Sequence, residues 1–89
     1  MPKLVITHAV QDIEQWLKGK DERAGAIGAM GGSNVTDHVA ADGSKTVAET
    51  ADVQDVEAIK AGIASPPPEL TDAMQRHGVV PPLSVYVEQ

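Results

Sequence analysis

At 89 residues, 42% of them hydrophobic, the chain suffices for one small domain (residues 1–89) built on one core. Seven Lys and Arg against thirteen Asp and Glu leave a net charge of −6, which excludes the clustered basic surface that nucleic-acid binding requires. The absence of Cys excludes disulfides and thiolate metal sites, and no apolar run approaches the roughly 20 residues of a membrane span. The N-terminal MPKLVITHAV lacks the length and cleavage pattern of a secretory signal, so a cytoplasmic location is expected. With no Phe, one Trp and one Tyr, the core must be aliphatic. Such a domain has little stability to spare, and pairing with a second copy would bury more apolar surface.

Lys3 to Val10, KLVITHAV, is β-branched and of strand length, with Leu4, Ile6 and His8 on one face. Asp12 offers an N-cap to a helix reading DIEQWLKGKDERAGAIGAM, whose stripe holds Ile13, Trp16, Leu17 and Ile27. Its glycines predict fraying from Gly25 to Gly32. Ser33 to Ala41 alternates, with Val35, Asp37 and Val39 on one face and Asn34, Thr36 and His38 on the other. Asp42-Gly43 is a hairpin signal, and KTVAETA returns as the partner strand. Asp52 caps a second helix with Val53, Val56, Ile59 and Ile63 on one face, ended by Ser65-Pro66. PPELTDAMQRH is a short third helix closed by Gly78, and PLSVYVEQ is the last strand. The order predicts an α+β, ferredoxin-like βαββαβ sandwich with an extra short helix before the last strand. Helices cover one face of its antiparallel sheet.

Several residues can carry chemistry. His8 near a strand end is suited to acid–base work by its near-neutral pKa, or is a half-buried histidine bonded to backbone. Trp16 is either a wall for a flat ligand or core filling. Asn34, Thr36 and His38 form a polar pocket floor if they face inward and the wet or dimer side if outward. Tyr86, alternating with Val85 and Val87, looks away from the aliphatic face and can donate a proton or close a dimer contact. Glu49 lies between Val47 and Ala51; a carboxylate in apolar company has a raised pKa and can act as a base, or it forms a salt bridge. His77 complements a helix dipole or covers a pocket mouth. His8, His38 and His77 match no compact metal-ligand spacing, and GAIGAMGG follows a helix rather than a strand, so neither a metal nor a nucleotide is expected.

The fragments THAVQDIEQWLK, VAETADVQDVEAIKAGIASP and PELTDAMQRHGVV resemble the small bacterial dimeric α/β-barrel proteins, among them antibiotic-biosynthesis monooxygenase-like and polyketide-cyclase-like members. The chain departs from them in its extra prolines at SPPPEL and in Ile13, where an aromatic is common. The resemblance implies a homodimer with two sheets packed face to face and a ligand cleft between sheet and helices. It also raises haem, with His77 as the natural ligand, but the scarcity of aromatics argues against a porphyrin pocket. The resulting expectation is cofactor-free monooxygenase- or cyclase-type chemistry on a small, largely apolar or aromatic molecule. His8 is its acid/base, Tyr86 or Glu49 the partner, and Trp16, Asn34, His38 and His77 are binding residues. The alternative is a non-catalytic dimeric module.

Overall fold

In the computed structural model, which describes all 89 residues, the elements follow the predicted order. They are β1 (Lys3–Val10), α1 (Ile13–Lys18), α2 (Lys20–Ala29), β2 (Gly32–Val39), β3 (Thr46–Val53), α3 (Val56–Ala64), α4 (Pro68–Arg76) and β4 (Val79–Val87). The four strands form one antiparallel sheet in the order β2-β3-β1-β4. This is the ferredoxin-like arrangement, with β1 and β3 central and all helices on one face. The period of two aims Leu4, Ile6, Ala51 and Val53 at the helices, where they pack with Ile27 of α2 and Ile59 of α3. Full burial of each large aliphatic contributes about 1.5–3 kcal/mol. A second cluster, Val10, Trp16 and Val47, fills the other end.

Three boundaries differ from expectation. The first helix is two helices. It breaks at Gly19, and α2 then runs unbroken through Gly25 and Gly28 to Ala29. A Cβ at Gly19 would overlap the imidazole of His77, so the close approach of α4's end demands glycine there. Leu17, expected in the apolar stripe, is 42% exposed at the end of the short α1. Asp55, not Asp52, caps α3 through a bond from the Ala58 N–H. Val53 is fully buried in β3, held by its pairing with Gly32 and by a bond from its N–H to the Pro2 carbonyl. Finally, β4 begins at Val79 and contains Pro81 and Pro82. Prolines have no N–H to give, so the β1–β4 register shifts between Thr7 and Ala9, opposite them.

Candidate functional site

One cavity of about 290 Å³ lies between the sheet and α2, α3 and α4. Its walls are mainly aliphatic, with Ile6, Ile27, Ile59, Ile63, Leu70 and Leu83 prominent. Its polar end joins His8, Arg23, Glu49, His77 and Glu22.

Arg23, on the inner side of α2, organises that end. Its Nε donates to Glu49 Oε2 at 3.1 Å and its Nη2 to Asp37 Oδ2 at 3.0 Å. Nη1 donates to the Trp16 carbonyl at 2.5 Å and to His77 Nδ1 at 3.2 Å. The guanidinium lies 4.0 Å from the centre of the Trp16 ring, a cation–π contact. The break at Gly19 matters here, because the end of α1 turns its Trp16 carbonyl toward an arginine on the next helix.

Because Arg23 can only donate, His77 Nδ1 must accept, so its Nε2 carries the proton and donates to Glu22 Oε1 at 2.8 Å. Glu22 also takes Arg76 at 2.7 Å, and the Arg76 hydrogen bond first, then that of His77, draws its pKa down. Burial lowers the His77 pKa more than Glu22 raises it, with Arg23 adding to the fall. The ring is therefore neutral near pH 7, and the dipole-complementing charge expected of it is absent.

His8 Nδ1 donates to the Ala9 carbonyl at 2.9 Å, which leaves the lone pair on Nε2. Burial, and secondarily the Arg23 charge, lowers its pKa and keeps it neutral. Its ring meets Trp16 edge to face, with centroids 6.0 Å apart. Glu49, 7% exposed, is pushed up to about 7, first by burial and then by the neighbouring Asp37; Arg23 opposes the shift.

The structure thus brings His8, Glu49 and His77 together at the cavity. Trp16 stands behind Arg23, fully enclosed at 0% exposure, and forms no part of the cavity wall. Tyr86, Asn34 and His38 lie away from the cavity: Tyr86 and His38 point out from the opposite sheet face, and Asn34 sits at a β2 bulge with φ 53, bonded to Asp52. Two residues outside the expected set, Arg23 and Asp37, complete the site. The signal that could have found them is a charge on an otherwise apolar stripe: Arg23 follows Trp16 by seven residues and precedes Ile27 by four, and Asp37 alternates with Val35 and Val39.

A folded-state pKa above the unfolded value means that Glu49 adds stability below its unfolded pKa and loses it as pH rises through about 7. Glu49→Gln removes this dependence. We expect the melting temperature of Glu49→Gln to gain on wild type steadily as pH rises from acid to mildly alkaline. Paired thermal melts across that range check it, and parallel curves for the two proteins would refute it.

By sequence, the chain matches no protein-family model and no curated protein. By structure it is similar to a candidate antibiotic biosynthesis monooxygenase from Bordetella bronchiseptica, with TM-score 0.75 and 14% identity over 99% of this chain and 94% of that one. A second antibiotic biosynthesis monooxygenase structure gives TM-score 0.68 at 12% identity, over 100% of this chain and 97% of that one. A candidate of the same kind from Deinococcus radiodurans gives 0.57 at 14%, over 100% and 91%. No helix is long and apolar enough to cross a membrane. The chain therefore has the ferredoxin-like α+β fold of the antibiotic biosynthesis monooxygenase structures.

Proposed function

We propose that this protein binds a small, largely apolar or aromatic molecule in its cavity and moves a proton on it without a cofactor, as a homodimer in the cytoplasm. The observation that carries this reading is an aliphatic cavity with two titratable groups at one end, His8 with a lowered pKa and Glu49 with one raised toward neutrality. At about 30 Å³ per water, the space equals about ten water molecules, so the occupant is small. Arg23 already bonds to Glu49, Asp37, Trp16 and His77, so the site holds no uncommitted cation for a carboxylate or phosphate.

A thermal-shift screen of small phenols, enols and aromatic ketones tests the reading. We expect stabilisation of wild type by members of that set and weaker stabilisation of His8→Ala. A panel without effect would favour the rival, a non-catalytic assembly module, for which the enclosure of Trp16 and the outward placement of Tyr86 and His38 speak.

The dimer has its own support. The sheet face away from the helices carries Val5, Thr7, Ala48, Thr50 and Tyr86 in adjacent register positions, with Tyr86 59% exposed. A second sheet laid on this face would cover them. Sedimentation should show a species of twice 9.3 kDa, and Val5→Glu, at the centre of the face, should yield the single chain. A wild-type monomer at micromolar concentration would sink the dimer.

A further inference from the structure

Two carboxyl groups and one guanidinium meet at the closed end of the cavity, and their charges do not balance. Asp37 on β2 stands directly opposite Glu49 on β3 in the antiparallel register. Their side chains are only 3% and 8% exposed, and each takes one Arg23 nitrogen through one oxygen. Two ionised carboxylates against one cation would leave an excess negative charge shielded from water, a costly arrangement. Moreover, Asp37 Oδ1 is buried and receives no hydrogen bond from any other group. A proton on Glu49 resolves both difficulties. It removes the excess charge and would supply a donor to that oxygen from the residue directly across the strand pair.

We propose that Asp37 and Glu49 share one proton across the strand pair, and that this pair, through Glu49 at the cavity wall, is the site's proton donor. Around it stand Arg23 from α2, bonded to both members; His8 from β1, on the same cavity; and His77 at the end of α4, beyond Arg23. Glu49 therefore starts as an acid and His8, with its bare Nε2, as the base. Resting on the cavity reading above, this division suits a neutral, enolisable carbonyl compound. His8 Nε2 takes a proton from the carbon beside the carbonyl, and that C–H electron pair becomes the new C=C bond. The carbonyl π pair moves onto oxygen, which takes the Glu49 proton, and the enol results. Exchange with solvent then deprotonates His8 and reprotonates the carboxyl pair, with no oxidant or reductant consumed.

The test needs no ligand: side-chain carboxyl ¹³C shifts of uniformly labelled protein are followed over roughly pH 3 to 9. We expect Glu49 Cδ and Asp37 Cγ to report the same two steps, one of them near neutrality. In Asp37→Asn the Glu49 curve should collapse to a single step. A single Glu49 step in wild type, or an unaltered Glu49 curve in Asp37→Asn, overturns the shared proton. Where Asp37→Asn fails to fold, Glu49→Gln gives the reverse measurement: Asp37 titrating in one step supports the pair, and two steps overturn it. A screen without ligands leaves this result untouched, and a one-step titration leaves the cavity's binding role standing, so the two readings fail separately.

Discussion

Arg23→Met should destabilise the protein by about 3–5 kcal/mol, the usual cost of removing one partner from a buried ion pair. Methionine keeps much of the aliphatic volume, so the loss reports the charge and its hydrogen bonds rather than a hole. Asp37, Glu49, His77 and the Trp16 carbonyl would all lose their donor at once. Against a total stability of about 5–15 kcal/mol this is a large fraction. For a domain of this size it corresponds to a melting temperature lower by roughly 12–40 °C. The pH dependence has a definite sign. Without the guanidinium, the influence that opposes the rise of the Glu49 pKa is gone, so its folded pKa stands further above the unfolded one, and the variant regains stability in acid and loses it as pH rises. Thermal melts at acid and mildly alkaline pH check both parts. A variant melting close to wild type at every pH would show that Arg23 does not hold the site together. Arg23→Lys should recover only a part, because one ammonium cannot span Glu49, Asp37 and His77.

Trp16→Ala comes next, with an expected loss of about 3–5 kcal/mol from the void left by a fully enclosed indole. Two further contacts go with it: the cation–π contact with Arg23 and the edge-to-face contact with His8. The indole Nε1 is itself buried without a partner, an existing cost of about 1–3 kcal/mol. Trp16→Phe removes that orphan along with part of the ring, so it should cost less than half as much as alanine. Denaturant titration of the two variants separates these contributions. A phenylalanine variant as unstable as the alanine one would mean that the indole N–H is satisfied in solution. Because Trp16 and Arg23 touch, the double variant should lose less or more than the sum by about 0.5–3 kcal/mol.

Much of this site was legible in advance, and what was not has identifiable causes. Strand alternation placed Leu4, Ile6 and Glu49 inward and Tyr86 outward, because a period of two leaves no choice once one face is apolar. The same rule marks Asp37 between Val35 and Val39 and Glu49 between Val47 and Ala51. The helical period marks Arg23 between Trp16 and Ile27. Arg23 and Asp37 were nonetheless outside the expected set, because neither charge by itself shows which opposite charge it meets across the fold. By contrast, the break at Gly19 has its cause in His77, 58 positions further along the chain, and no local pattern encodes such a contact. The start of α3 was displaced because Asp52 and Asp55 are equally good caps. Strand pairing with β2 decided between them by drawing Val53 into the sheet.

The prolines of β4 have a wider consequence. This strand lies at one margin of the sheet, where an unpaired row of N–H and C=O groups invites another chain to add itself by strand pairing. Pro81 and Pro82 put two residues that cannot donate into this strand, and its pairing register shifts beside them. Sideways polymerisation along this margin is thereby discouraged. The residues that shape the last strand thus also make this margin a poor template for fibrous growth.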